Sequence, residues 1–286
     1  MTGASGRSTS WRRRASGVAL AAGWIAMIVL VAVGADLLMP WEPEAMDLRN
    51  RLAPPVWASG DWAHPFGTDD IGRDLLSRTI SAIRVSLLVA LAGTMIGALL
   101  GTLAGFVAAH FRGRIDDLVM LAVDFQAAVP VLILTLMVLA LFPNTLLVFV
   151  AVVGIHGWDR YARLTRGLTM SAQGHGYAVA LRLIGASPWR VYAMHVLPNI
   201  SGALIVNMTL NFPEVVLLET SLSFLGLGIQ PPTTSLGNLV SLGRDHLLSA
   251  WWVAAIPAAI ILLTTLAFSL LGDWLRDRLD PTLRGL

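Results

Sequence analysis

The chain contains no cysteine and no lysine. Without cysteine there is no disulfide framework, no thiolate metal site and no thiol nucleophile. Without lysine there is neither the phosphate-binding lysine of a P-loop nor a Schiff-base amine. Any ATP that drives this protein is therefore expected on another polypeptide. Charge is sparse too: 13% of the 286 residues are charged, against 56% hydrophobic, and the mean hydropathy is +0.70. A soluble core does not need that much apolar surface, whereas a polytopic membrane protein does. The six histidines are dispersed, without metal-ligand spacing, so no metal site is expected.

All 20 basic residues are arginine, and the pI is near 9.6. Such a balance can signal nucleic acid. Here the arginines sit beside apolar runs, so the positive-inside rule accounts for them and no nucleic-acid partner is expected. Six runs read as spans: Gly17–Met39, Val85–Ala109, Leu118–Phe142, Thr145–Trp158, Ile200–Leu222 and Trp251–Gly272. The first would cover roughly 34 Å as a helix, enough to cross a bilayer. It is too long for a typical signal core and further spans follow, so it reads as a retained anchor. The fourth is short and is expected to continue helically past Asp159 and Arg160. The reading is an all-α polytopic membrane protein with six transmembrane helices and both termini cytoplasmic. Residues 1–16 form an inner tail, 17–39 the first span, 40–84 an outer loop, 85–272 the core and 273–286 an inner tail. Within the core, 159–199 is an inner connection and 223–250 an outer loop. Fourteen arginines fall in proposed inner segments; five of the six others lie in 40–84, a long loop that tolerates them.

Gly93, Gly97, Gly101 and Gly105 recur every four residues, which places them along one helical face where a neighbour can approach closely. Asp124, Glu214 and Glu219, with Asn207 and Asn211, fall within or near spans. Intramembrane charge is costly and faces a cavity or a partner, so these five are candidates for a translocation path. The competing role is bonding between helices, and for Glu219, near an outer end, that role leads. In the first outer loop, Asp69, Asp70, Arg73, Asp74 and Arg78 fall at helical spacings that allow mutual ion pairs. The favoured reading is a solvated amphipathic entry into the next span; the alternative is a gate or a docking surface.

The stretch Tyr177–Asn199, YAVALRLIGASPWRVYAMHVLPN, is polar and punctuated between apolar blocks. Its first part reads as a short helix broken at Gly185. Ser187 suits an N-cap and Pro188 the first position of a second helix, which Pro198 is expected to stop. A 40-residue inner connection exceeds an ordinary link and reads as a handle for a cytoplasmic partner.

This handle resembles the cytoplasmic loop of bacterial ABC importer permeases, whose pattern is Glu-Ala-Ala, a later Gly, then Leu-Pro. Ala180 takes an alanine position, Gly185 the glycine and Leu197-Pro198 the Leu-Pro. GTDDIGRDLLSR (Gly67–Arg78), LSFLGLGIQPPTTSLGNL (Leu222–Leu239) and GDWLRDRLDPTLRG (Gly272–Gly285) are similar to the second membrane subunit of dipeptide, oligopeptide and nickel importers. The resemblance implies a type I importer permease fold in the bacterial inner membrane. It implies a second, homologous permease as heterodimer partner, two ATP-binding cassette subunits holding ATP and Mg, a periplasmic solute-binding protein, and no cofactor in this chain. It assigns ATPase coupling to Ala180, Leu181, Arg182, Ile184, Gly185, Ala186, Ser187, Pro188, Arg190, Leu197 and Pro198. Gly67, Thr68, Asp69, Gly72, Arg73 and Asp74 carry the outer signature. The family glutamate falls at Val179, so docking is expected to rest on apolar insertion by Ala180, Leu181 and Ile184, with Arg182 or Arg190 for acidic partners. The cargo implied is a di- or oligopeptide, with nickel or another small solute as the alternative. An ion-coupled secondary carrier is the rival class; it would predict internal repeats, and none is visible.

Overall fold

The computed structural model describes residues 5–142, 145–173 and 187–279, and among these every regular element is helical. The longest helices are α1 (Ser5–Val33), α2 (Leu75–Phe111), α7 (Leu197–Phe224) and α9 (Trp252–Leu279). Each carries a segment long and apolar enough to cross a membrane. Between α2 and α7 lie α3 (Gly113–Ala128), α4 (Val131–Leu141), α5 (Leu146–Ile155) and α6 (Trp158–Gln173). A shorter helix, α8 (Leu236–Arg244), precedes α9.

Among the described residues four helices are long and apolar enough to cross a membrane, or five if a bent pair counts as one span, so two of the six expected spans are broken or short. The expected third span is α3 and α4, bent by 94°. Pro130 is the cause: it cannot donate an amide, and it forces Val129 into extended backbone (φ −90°, ψ 128°). The expected fourth span is α5, ten residues long, or about 15 Å, half of a typical hydrocarbon core. The chain does not continue helically into Asp159: the ladder breaks at His156-Gly157, where Gly157 adopts φ +81°, a conformation costly for any residue with a Cβ. Only then does α6 begin.

Pro198 does not stop a helix either. The second arm begins at Pro188, as the Ser187-Pro188 pair predicts, and runs Pro188–Val191, then a π-turn Tyr192–Val196, then directly into α7. Widening the turn before Pro198 accommodates its missing N–H and its ring, so the chain stays helical through it.

The glycine row on α2 is a packing face, as its period predicts. A Cβ at Gly93 would lie 3.1 Å from both Val153 of α5 and Val215 of α7, and one at Gly97 would lie 2.9 Å from the carbonyl oxygen of His156. At Gly101 and Gly105 it would strike the backbone of α6 at Trp158 and Ala162. The resulting close approach of α2 to α5 and α6 is the spine of the fold. Around it a core of Ile83, Val89, Phe149, Val153, Phe212, Val215 and Leu222 joins α2, α5 and α7. The α1 helix sits at the margin, tied by Trp24 Nε1 donating to Thr264 Oγ1 of α9 (3.2 Å) and by Asp36, which accepts two bonds from Arg84 (both 2.8 Å).

Candidate functional site

Two polar assemblies stand out. The first is at the end of the bundle that carries residues 40–84. Here Asp69 is buried at 1% exposure. Its Oδ1 accepts from the backbone N–H groups of Ile71 (3.1 Å) and Arg73 (2.9 Å). Its Oδ2 accepts from Arg73 Nε (2.7 Å) and from Arg78 Nη1. Arg73 also reaches Glu44 (2.9 Å). Burial pushes the Asp69 carboxyl up. The Arg73 amide and the Arg78 and Arg73 charges outweigh it and hold the group below the ordinary carboxylate range.

Helical spacing is not what pairs these residues, and they are not solvated. Residues 67–73 form a turn, and Gly72 at φ +81° packs so tightly on Asp47 that no side chain fits. The helix starts only at Leu75, where Asp74 caps it by accepting from Ser77 N–H (2.7 Å) while meeting His64 Nδ1 at 3.0 Å. Thr68 is fully buried, accepting from Ala53 N–H (2.8 Å) and donating to the Asn50 carbonyl. Gly67, Thr68, Asp69, Gly72, Arg73 and Asp74 thus form one ordered unit. It faces residues 223–246 across a cleft of about 400 Å³ lined by Glu44, Arg73, Arg78, Gln230, Asn238 and Arg244. The segments read as two outer loops meet at this cleft.

The second assembly runs along α6. Arg160, Arg163 and Arg166 recur every three residues, which keeps them on neighbouring faces. Arg160 Nη1 bonds both carboxylate oxygens of Glu214 on α7 (2.7 and 2.6 Å), with His156 Nε2 at 3.8 Å. Arg163 meets Asp124 of α3 (3.1 Å) and Asp159 (3.4 Å). Arg166 holds Asp116 of α3 with two bonds (2.5 and 2.6 Å). Reading arginines only as topology signals misses this role; their spacing along α6 is the signal that reveals it.

The five expected path residues do not form one group. Glu214 and Asn211 come together at the α5–α6 break, where Asn211 is 2% exposed beside Tyr161 and Gly157. Asp124 is exposed and paired one turn further along α6. Asn207 lies apart, in a cavity of about 460 Å³ with Leu164 and Arg276. Glu219 is fully buried and bonds neighbours, accepting from Ser223 (2.7 Å) and, across to α2, from Ser86 (3.4 Å). Ser86 in turn accepts from the Leu236 N–H (3.0 Å), tying α8 to this core. Ala180, Leu181, Arg182, Ile184, Gly185 and Ala186 lie outside the described residues, as does Val179. Of the rest of the handle, Ser187 and Pro188 open its second arm, Arg190 is exposed, and Leu197-Pro198 begins α7. Among the described residues no group of three or more His, Asp or Glu is poised to hold a metal.

The comparisons with known proteins agree with this architecture. The family of the binding-protein-dependent transport system inner membrane component matches residues 97–285. The di/tripeptide transport system permease protein DppC of Pseudomonas aeruginosa is 38% identical over 259 residues, covering 90% of this chain and 86% of that protein. The dipeptide transport system permease protein DppC of Escherichia coli is 38% identical over 279 residues, covering 95% and 91%. Its Haemophilus influenzae counterpart is 33% identical over 262 residues, covering 91% and 89%. With helices able to cross a membrane, a family match over most of its length and these relatives, the chain belongs to the family of binding-protein-dependent transport system inner membrane components.

Proposed function

We propose that the chain is one of two membrane subunits of an ATP-driven importer of di- or oligopeptides, the cargo its relatives are named for. It lies in a bacterial inner membrane with both termini cytoplasmic, residues 40–84 and 223–250 outside, and the 159–199 connection inside. It forms half of the pathway beside a homologous second permease. Two ATPase subunits bind ATP below, and a solute-binding protein delivers cargo from outside.

The observation that carries this reading is the position of α6. The helix runs from the break at Gly157 to Gln173, directly before the segment that resembles an ATPase-docking loop. It is seated against the α2 glycines and joined to α3 and α7 by the Arg166, Arg163 and Arg160 pairs. A push on the loop moves such a helix as a body, and the break at Gly157 is where that motion turns into a change between helices. ATP and the loaded binding protein would each favour one of two states, which is what switching requires. Gly185 serves as the elbow, Ala180, Leu181 and Ile184 dock by apolar contact, and Arg182 or Arg190 meets acidic groups.

Reconstitution of the assembled transporter in liposomes with its binding protein tests this. ATP-dependent dipeptide uptake is expected, lost on omission of the ATPase subunits. Uptake by this chain alone, without ATP, would overturn the reading.

A further inference from the structure

Glu214, the carboxylate end of its pair with Arg160, lies near half the length of the long helices. Val153, near the end of α5, and Val215 of α7 both lie 3.1 Å from the same point on Gly93, so they share one level. From the start of α5 to its end is ten residues, and Glu214 stands ten residues before the end of α7 at Phe224. Both distances are about 15 Å, near the middle of a hydrocarbon core. The pair is nonetheless open: the Arg160 and Glu214 side chains are 50% and 42% exposed. An open ion pair at that depth is too costly to present to lipid, and broken helices at mid-depth are where transporters line their passages.

The bonding of Arg160 is also incomplete. Glu214 uses only Nη1, for both of its oxygens. Nε and Nη2, the paired edge of the guanidinium that best matches a carboxylate, make no hydrogen bond among the described residues. A buried polar pair lies alongside. The Asn211 amide and the Tyr161 hydroxyl sit side by side, and neither has a well-formed hydrogen bond to any other described group. The Asn211 amide points at Gly157, 2.9–3.0 Å from where a Cβ would stand. Buried polar groups without partners are uncommon and call for an explanation. Here they border the point where the backbone ladder of α5 ends.

Resting on the peptide-permease reading, we propose that the break at Gly157 is a station on the passage that reads the charged ends of a short zwitterionic peptide. The open edge of Arg160 receives the peptide carboxylate and Glu214 receives the ammonium group. The resident ion pair satisfies both side chains when no peptide is present, so an empty passage leaves no bare charge at mid-depth. Selection here would act after delivery by the binding protein and would disfavour peptides with blocked ends.

The absence of cysteine makes the test direct. Leu217 is 50% exposed and lies three residues beyond Glu214, on a neighbouring part of the same helix face. In the assembled transporter carrying L217C, the thiol is reacted with a charged, water-soluble maleimide and labelling of this chain is followed. The expected result is reaction, slowed by alanyl-alanine but not by N-acetyl-alaninamide. R160Q should raise the alanyl-alanine concentration needed for protection about tenfold or more, the loss typical of one hydrogen-bonded charge contact. R160K keeps the ion pair with Glu214 but lacks the paired edge, so it should also weaken protection. An unreactive thiol, equal protection by the blocked peptide, or undiminished protection in both Arg160 variants would overturn the proposal. ATP-dependent uptake of alanyl-alanine by the L217C transporter is measured in parallel. No uptake by it or by the parent would refute the peptide reading, whereas uptake without protection would refute the station alone.

Discussion

Adding one methyl group at Gly101 should damage this protein more than its size suggests. An Ala Cβ there would collide with the Trp158 carbonyl oxygen, lie 2.6 Å from the Tyr161 Cβ and 3.0 Å from the Ala162 nitrogen. Ordinary carbon contacts need 3.5–4.0 Å, so α2 and α6 would have to separate by about 1 Å, and a gap of that order forfeits up to roughly half of each contact's attraction. The obstacles are mainly backbone, so no rotamer change relieves them. Overpacking of this kind costs about 1–3 kcal/mol, offset by the ~0.5–1 kcal/mol that Ala gains over Gly inside a helix. Gly167, on α6, supplies the control: nothing lies within 4 Å of its Cβ position, so G167A should keep that gain with no clash. The two variants should therefore differ by about 2 kcal/mol in opposite directions, or roughly 4–8 °C in melting temperature. Tryptophan-fluorescence melts of the purified protein measure this. Equal melting temperatures for G101A and G167A would refute the claim that the glycine row sets the distance between the two helices.

The pH behaviour of the Asp69 cluster has a definite sign. Its carboxyl is held below the unfolded value of about 3.9. The stability it supplies is thus complete above that value and lost as pH falls through the lower folded value; acid melts should show D69N insensitive in that window. At neutral pH, D69N leaves Arg78, 3% exposed, without its carboxylate and should cost about 3–5 kcal/mol, as breaking a buried pair does, measured by the same melts. For Glu219, E219Q keeps an acceptor for Ser223 and should cost less than about 1 kcal/mol, while E219A leaves a cavity and unpaired hydroxyls and should cost about 2–5 kcal/mol. Equal losses would argue against hydrogen bonding as its role. The Asp116–Arg166 pair should behave as one unit: D116R and R166D each destabilise, and the double exchange recovers about 1 kcal/mol or more in a double-mutant cycle.

Periodic features were legible in the sequence, and features that depend on a break in the backbone were less so. The α2 glycines are legible because a four-residue repeat on a helix can only be a face. Spacing alone would pair Asp69, Arg73 and Arg78 on a helix, whereas a turn at Gly72 and a cap at Asp74 bring the same side chains together. Apolar length suggests continuous spans through Pro130 and Gly157, since hydropathy sums over residues and is blind to a missing donor or a positive φ. Pro198 misleads in the opposite sense, because a π-turn absorbs it. The arginines show why charge patterns carry two messages at once. Arg160, Arg163 and Arg166 fit the positive-inside rule, but the carboxylates of Glu214, Asp124 and Asp116 also need cationic partners at set heights along α6. The shortness of α5 is what reconciles the two. By ending after ten residues it lets α6 begin beside the α2 glycines, so that Arg160, the nearest of the three to the break at Gly157, reaches Glu214 where the backbone between α5 and α6 is interrupted.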